Sequence, residues 1–138
     1  MIGLDTNILV RFLTQDDPDQ APLASAAMAQ LTQDRPGLIG REVLIELVWV
    51  LERSYKFRRS EIAAVISGLL ATSDLVVEGA DGVADCLSLY EFEGFGFADL
   101  MIRAAARRFG AVGVLTFDRK AAALEGNVML REDWLSHP

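Results

Sequence analysis

The sequence predicts an α/β protein with a parallel β-sheet that is covered on both faces by helices. Short apolar runs that are typical of buried strands alternate with longer helical patterns along the 138 residues. Two of these runs, residues 2–4 and 114–117, lead directly into an aspartate, Asp5 and Asp118. Open parallel sheets assemble their ligand sites at the carboxyl ends of the strands, so both carboxylates are expected at that edge.

Five apolar runs are predicted to form the strands. Each is bounded by turn-forming residues or by a helical pattern. The predicted strands lie near residues 2–4, 38–40, 74–78, 113–117 and 128–130. Because helices separate successive strands, the order along the chain predicts parallel pairing.

Helical segments fill most of the intervals between the strands. They are predicted at residues 7–13, from about 22 to the turn at 34–37, and at 42–54, 60–71, 81–90 and 97–109. The first ends before Asp16-Asp17-Pro18, a sequence that favours a turn. Ser60 is the predicted N-cap of the fourth helix, with Glu61 in its first turn, and Gly110 is the predicted C′ glycine of the last.

Length and composition predict a single domain that spans residues 1–138. No repeat, linker or low-complexity tract interrupts the chain, and 51% of its residues are hydrophobic. Cys86 is the only cysteine, which favours a reducing compartment over a disulfide scaffold. The N-terminus does not have the pattern of a signal peptide, and no apolar run is long enough to span a bilayer. We therefore expect a soluble, cytoplasmic protein.

The net charge of −7 argues against a protein that coats nucleic acid through a general basic surface. It remains compatible with a nucleic-acid enzyme whose carboxylates bind divalent cations, because those cations then meet the phosphate. Basic residues form two clusters, for which solvated helix ends are the simpler interpretation. The clusters are Arg53, Lys56, Arg58 and Arg59, and Arg103, Arg107 and Arg108.

Glu46 is an unusual carboxylate because apolar residues flank it on both sides within residues 43–51. An ionised and unpaired carboxylate in such surroundings costs several kcal/mol, so Glu46 is expected to be protonated, paired or bound to a cation. The alternative is that Glu46 faces a wet groove beside Glu42, four residues earlier on the same helix face.

Asp5, Asp99 and Asp118 each have an ordinary structural explanation when considered singly. Asp99 lies in the first turn of a predicted helix, where the helix dipole favours a carboxylate. Asp118 is suited to cap the next helix, and Asp5 to form a turn. With Glu46, however, these acids come from separate elements, and clustered like charges require a cation to offset their repulsion.

Oxygen ligands without a nearby imidazole or thiolate favour Mg²⁺ or Mn²⁺ over zinc. His137 lies beside the C-terminus and is a poor candidate for a general base, and Cys86 is a poor candidate for a nucleophile. One such ion, or two about 4 Å apart, suits phosphodiester hydrolysis. Thr6, Asn7 and Thr116 flank the acids and are candidates for orienting the substrate; the alternative for Thr6 is a helix N-cap.

Four ordered segments give the chain a resemblance to PIN-domain proteins, and more narrowly to the VapC toxins of bacterial and archaeal toxin–antitoxin pairs. The segments are Asp5-Thr6-Asn7, Glu46-Leu47-Val48-Trp49-Val50-Leu51, Phe97-Ala98-Asp99 and Leu115-Thr116-Phe117-Asp118-Arg119-Lys120. The resemblance covers nearly the whole chain in order and spacing.

The resemblance implies a three-layer α/β/α fold with a central parallel sheet and a Mg²⁺- or Mn²⁺-dependent endoribonuclease. It assigns catalysis and metal binding to four acids, with Asn7 and Thr116 as accompanying polar positions. The four acids are Asp5, Glu46, Asp99 and Asp118. It also implies a homodimer and a VapB-like antitoxin whose tail blocks the acidic cleft. Transfer RNA and ribosomal RNA are both compatible substrates.

One position departs from the family pattern. Many relatives have a further aspartate three positions before the residue that matches Asp99, where this chain has Gly96. This difference puts a supporting metal or water contact in question. Glu42 is a conceivable substitute for Glu46, but Glu46 is preferred because of its apolar neighbours.

Two other classes of protein remain as alternatives. The first is a phosphate-handling α/β protein, an aspartyl-phosphate phosphatase or a receiver-like switch, in which a strand-end aspartate accepts a phosphoryl group. It requires a second acid near Asp5, whose neighbours are Thr6 and Asn7. The second is a catalytically silent PIN-like binding module, which would be expected to have lost one or more of the acids. Cleavage of single-stranded DNA is a near variant of the RNA hypothesis. The apolar surface of the third and fourth helices, with Trp49, Ile62, Ile66 and Leu69, is a candidate groove for a dimer or an antitoxin, and core packing is the simpler use of most of it.

Overall fold

The structure is a computed structural model that describes residues 1–136. His137, considered above as a general base, lies outside the described residues. The chain forms two compact units, Met1–Ala84 and a second that begins at Asp85. The boundary falls within one helix, Ala80–Glu93.

All the β-strand pairs are parallel, as the alternation of strands and helices predicts. The strands are β1 (Ile2–Gly3), β2 (Gly37–Ile39), β3 (Leu75–Val77), β4 (Leu115–Thr116) and β5 (Val128–Met129). In the first unit the strand order is β1-β2-β3, with Ile2 opposite Gly37 and Gly37 opposite Leu75. In the second unit β4 pairs with β5, with Leu115 opposite Val128.

Eight helices lie within the described residues. They are α1 (Thr6–Thr14), α2 (Gln20–Ala29), α3 (Arg41–Arg53), α4 (Arg59–Ala71), α5 (Ala80–Glu93), α6 (Phe97–Arg108), α7 (Arg119–Ala122) and α8 (Glu132–Ser136). Five of the first six agree with the predicted helices to within three residues, whereas α2 ends at Ala29, before the predicted turn at residues 34–37. The short helices α7 and α8 are too brief for a helical period to be read from the sequence. The described residues contain no helix that is long and apolar enough to cross a membrane.

The ends of the helices show where local chemistry differs from the sequence-based expectation. Gly110 has a φ of +86°, as expected of the glycine that follows α6. Ser60, however, is not the N-cap of α4. That position is Arg58, and the Glu61 carboxylate accepts a hydrogen bond from the Arg58 backbone N–H at 2.9 Å. Glu61 lies in the first turn, as predicted, but it reaches back beyond Ser60 and so moves the start of the helix.

Apolar side chains fix α3 and α4 within the first unit. Residues at helical spacing along both helices are buried, and they comprise Leu44, Leu47, Val48, Leu51, Ile62, Ile66 and Leu69. Of the side chains considered as a partner surface, the three from α4 are therefore core. Trp49 is 56% exposed, and the Arg53 guanidinium lies 5.8 Å from the centre of its ring.

Candidate active site

Asp5 follows β1 at the carboxyl end of the strand, as predicted, and is the N-cap of α1. Its Oδ1 accepts a hydrogen bond from the Thr6 backbone N–H at 2.7 Å. Thr6 is therefore the first residue of the helix rather than its N-cap, which corrects the alternative considered for it. Oδ2 of Asp5 makes no hydrogen bond to a described residue, so one carboxylate oxygen remains for a ligand.

Glu46 lies on the exposed side of α3, and the argument from burial is therefore wrong. The neighbouring Leu47 and Val48 are buried, whereas Glu42, Glu46 and Trp49 are exposed because the helical period turns them to the other face. An apolar run in sequence does not surround a residue in space when the run is helical. The wet groove beside Glu42 is the correct interpretation of its surroundings.

Asp5 and Glu46 line the same cavity in the first unit, with a volume of about 520 Å³. The predicted supporting residues Thr6 and Asn7 also line it. The first unit thus places one carboxylate from a strand end and one from α3 around a shared space, with a hydroxyl and an amide beside them. The remaining lining residues are Val10, Arg11, Asp16, Val50, Ser54 and Tyr55.

Three polar residues of this cavity, Arg11, Asp16 and Tyr55, were not predicted from the sequence as site residues. Arg11 Nη1 donates to Asp16 Oδ1 at 3.1 Å, and the Tyr55 hydroxyl donates to Asp16 Oδ2 at 2.7 Å. The hydrogen bond from Tyr55 is the main cause that lowers the Asp16 pKa to about 2, followed by one from Thr14. The available sequence signal was the spacing of Asn7 and Arg11, four residues apart on one face of α1.

In the second unit Asp118 repeats the arrangement of Asp5. It follows β4 and is the N-cap of α7, with Oδ1 accepting a hydrogen bond from the Ala121 backbone N–H at 2.8 Å. Thr116 Oγ1 accepts a hydrogen bond from the Asp118 backbone N–H at 3.0 Å, so Thr116 fixes the turn that presents the acid. Oδ2 of Asp118 again makes no hydrogen bond to a described residue.

Asp99 lies in the first turn of α6, as predicted, and is only partly exposed. Burial raises the pKa of its carboxyl group, and the negative charge of Asp118 raises it further. The second unit therefore brings these two acids within electrostatic reach of each other. Gly96 is the N-cap of α6, and an added Cβ there would lie 3.0 Å from Asp99 Oδ2.

The donor set of the predicted site fits a hard divalent cation in its chemistry. Within residues 1–136 none of the four acids forms an ion pair with lysine or arginine. Asp99 and Asp118 repel each other without a compensating cation, and the strand-end aspartates each have an oxygen available. In the same part of the chain no group of three or more His, Cys, Asp or Glu residues is close enough to hold a metal. The structure thus shows two acid pairs.

The basic cluster in the second unit has a structural role in part. Arg103 Nη1 and Arg107 Nη2 both donate to the Glu125 carbonyl oxygen, at 3.1 and 2.9 Å. In the first unit, Arg58 Nε donates to the Glu61 carboxylate at 3.1 Å. The simpler interpretation of the clusters, as solvated cations at helix ends, is confirmed for Arg58 and Arg107. It is wrong for Arg103, which is buried within α6 and donates to the Glu125 carbonyl oxygen.

Comparison with known proteins identifies the family of the chain. The family model of the PIN domain matches residues 2–127. The chain is similar to the VapC ribonuclease of Aquifex aeolicus (strain VF5), with 29% identity over 118 residues that cover 85% of this chain and 87% of that protein. The predicted α/β class and the resemblance to VapC proteins are thereby confirmed. The chain belongs to the PIN domain family.

Proposed function

We propose that the protein is a VapC-type toxin and an endoribonuclease that hydrolyses RNA phosphodiester bonds with Mg²⁺ or Mn²⁺. The proposed metal ligands and catalytic acids are Asp5, Glu46, Asp99 and Asp118. The observation that supports this most strongly is the state of the two strand-end aspartates. Each uses one carboxylate oxygen to cap a helix and has the other oxygen unengaged by described residues.

Bound Mg²⁺ or Mn²⁺ would supply an activated water and positive charge that stabilises the leaving oxygen. In the hydrolysis, water adds to phosphorus, one P–O bond breaks and the leaving oxygen takes a proton. The helix caps hold the carboxylates of Asp5 and Asp118 in one orientation, so little reorganisation is needed. Asn7 and Thr6 line the cavity where the strand of RNA would lie, and Thr116 orients the turn at Asp118.

We extend the proposal to the organisation of the protein. It acts as a single domain in the cytoplasm, as a homodimer held inactive by a VapB-like antitoxin. Similarity to a VapC ribonuclease supports this, and the 56% exposure of Trp49 supplies an apolar side chain for a partner. Growth arrest on expression, relieved by the product of a small adjacent reading frame, is the expected result. Growth unaffected by expression of the chain contradicts it.

A cleavage assay with Asp5→Asn tests the proposed activity. Asparagine caps a helix about as well as aspartate, so this variant removes the charge and retains the Thr6 contact. We expect the wild type to cleave transfer or ribosomal RNA with Mn²⁺, EDTA to stop it, and Asp5→Asn to lower turnover by several orders of magnitude. Asp19→Asn is the matched control, because Asp19 is at the N-cap of α2 and makes no side-chain capping bond.

Equal EDTA-resistant cleavage by the wild type and Asp5→Asn would discard the metal-nuclease proposal. Release of inorganic phosphate from a small phosphoester, without RNA cleavage, would favour the phosphatase alternative. Absence of turnover on RNA and on single-stranded DNA, with intact folding, would favour the silent binding module.

A further inference from the structure

The cavity in the first unit is larger than a metal site requires. Its volume of about 520 Å³ would hold about 17 water molecules at about 30 Å³ each. Asp5 and Glu46 line it, and so do Arg11, Ser54 and Tyr55. The cavity therefore has room for a segment of substrate beside the acids.

Hydrogen bonds fix the Arg11 guanidinium on one edge and leave N–H donors on the other edge available. Its Nε donates to Gln20 Oε1 at 2.9 Å and its Nη1 donates to Asp16 at 3.1 Å, with a longer contact of 3.4 Å to the Tyr55 hydroxyl. Nη2 makes no hydrogen bond to a described residue, and the side chain is 30% exposed. A guanidinium has five N–H donors in a rigid fork, so the free edge of Arg11 can bind an anion while the other edge is fixed.

The partners of Arg11 keep it away from the acids that we assign to the metal. A guanidinium that lines a cavity with two carboxylates is attracted to them, yet Arg11 pairs with Asp16 instead. The Tyr55 hydroxyl at 2.7 Å and the Thr14 hydroxyl at 2.7 Å hold Asp16 in place. This arrangement leaves Asp5 and Glu46 open to a cation while a fixed positive charge remains in the same cavity.

The separation along α1 decides which phosphate Arg11 would meet. Six positions separate Asp5 from Arg11, which corresponds to about 9 Å along the helix axis. The hydrogen bonds to Asp16 and Gln20 hold the guanidinium towards the C-terminal end of α1. A phosphate at the acids and a phosphate at Arg11 are thus different groups of one strand.

We propose that Arg11 binds a backbone phosphate that flanks the cleaved one, and that Asp16, Gln20 and Tyr55 are positioning residues that hold its guanidinium for this contact. The inference rests on the proposed function, since it assumes an RNA strand in the cavity. Arg11 would contact this flanking phosphate equally in the bound substrate and in the transition state. Its loss therefore raises KM more than it lowers kcat.

The test measures binding of a single-stranded RNA oligonucleotide across a series of salt concentrations. All proteins include Asp99→Asn to block turnover. Arg11→Gln removes the charge but retains a side chain that can donate to Asp16 and Tyr55, so the local fold is preserved. We expect about tenfold weaker binding and a slope of log K against log salt that is smaller by about 0.7, the value for one phosphate contact of a single strand.

Arg35→Gln is the matched control, because it removes the same charge from an exposed turn of the first unit, outside this cavity. It should change the affinity less than twofold and leave the slope unchanged. Arg11→Lys retains the charge and should retain the slope, with weaker binding because the fork geometry is lost. If Arg11→Gln binds RNA with the affinity and slope of its parent, or Arg35→Gln loses as much, the inference is wrong.

Kinetics in the background without Asp99→Asn separate this inference from the proposed function. If the wild type does not cleave RNA, the proposed function fails. If it cleaves and Arg11→Gln has an unchanged KM, only the role of Arg11 fails. The expected outcome is a KM raised about tenfold, a kcat within threefold of the wild type, and Mn²⁺ binding at wild-type affinity.

Discussion

At the scale of single residues, the strand-end aspartates combine two roles in one side chain. Oδ1 of Asp5 and Oδ1 of Asp118 cap helices α1 and α7. Because the capping hydrogen bond fixes the carboxylate at the helix end, the position of the second oxygen, Oδ2, is fixed as well. The structural explanation that the sequence offers is correct for Asp118, whereas Asp5 caps a helix and is not the simple turn residue expected. The cap supports the proposed chemical role of both acids.

Gly96 tests how closely the Asp99 carboxylate is placed. An added Cβ at Gly96 would lie 3.0 Å from Asp99 Oδ2, so Gly96→Ala has to displace that carboxylate by a few tenths of an ångström. We expect it to weaken Mn²⁺ binding about tenfold in a calorimetric titration. Gly68→Ala is the control, because nothing lies within 4 Å of an added Cβ there and the site should be unaffected. Equal Mn²⁺ affinities for the two variants would show that Asp99 is not a ligand.

Asp99 also makes stability depend on pH. Burial and the charge of Asp118 raise its pKa in the folded state, so the folded protein retains this proton better than the unfolded chain. Its contribution to stability therefore falls as the pH rises above the ordinary value of 3.8. Asp99→Asn should raise the Tm at pH 7 without metal, and the gain should vanish below pH 3.8.

Thermal unfolding at both pH values checks this sign, with Asp85→Asn, an exposed acid of α5, as the control. A lower Tm for Asp99→Asn at pH 7 would mean that the carboxylate makes a stabilising contact. The ionised Asp99 carboxylate would then not destabilise the fold at neutral pH, and this reason to expect a cation beside it would be lost.

At the scale of elements, α3 divides its two faces between stability and chemistry. Leu47 is fully buried and Glu46, its neighbour in sequence, lines the cavity. Leu47→Ala should lower the free energy of unfolding by about 2–5 kcal/mol, and Glu46→Gln should change it by less than about 0.5 kcal/mol. Glu46→Gln should nevertheless lower RNA cleavage by at least a hundredfold per folded molecule. Denaturant titration and turnover on the same samples measure both. Full activity of Glu46→Gln would show that Glu46 has no catalytic role.

The elements themselves were largely predictable from local patterns. All five strands were predicted to within two residues. Short apolar runs that are bounded by turn residues are too short for most helices and are typical of buried strands. The starts of the six long helices were also predicted to within two residues. The caps were harder, because a capping contact depends on the reach of a side chain. Arg58 rather than Ser60 is the N-cap of α4, and Asp5 is the N-cap of α1.

The candidate site was predictable in its acids and not in their surroundings. Asp5 and Asp118 were identified from their position after a strand, which the structure reproduces. The exposure of Glu46 was misjudged because linear neighbours are not spatial neighbours on a helix. Arg11, Asp16 and Tyr55 were missed because the contact between positions 16 and 55 depends on tertiary packing, which no local pattern contains.

At the scale of the whole molecule, acidity and function are linked. The net charge of −7 gives the chain little general affinity for phosphate, so the proposed binding of RNA has to depend on local cations. In the proposal these are the bound divalent ion and the fixed guanidinium of Arg11. On this proposal RNA binds at the metal and at Arg11, and the negative charge of the remaining surface repels it.

Titration of Mn²⁺ into the wild type, Asp5→Asn and Asp99→Asn tests the central claim most directly, because the two aspartates belong to different units of the chain. Asp19→Asn and Asp85→Asn serve as matched controls with the same loss of charge. The account predicts that the wild type and both controls bind Mn²⁺ alike, and that each site variant loses at least tenfold in affinity. Mn²⁺ binding by Asp5→Asn and Asp99→Asn at wild-type affinity would contradict it.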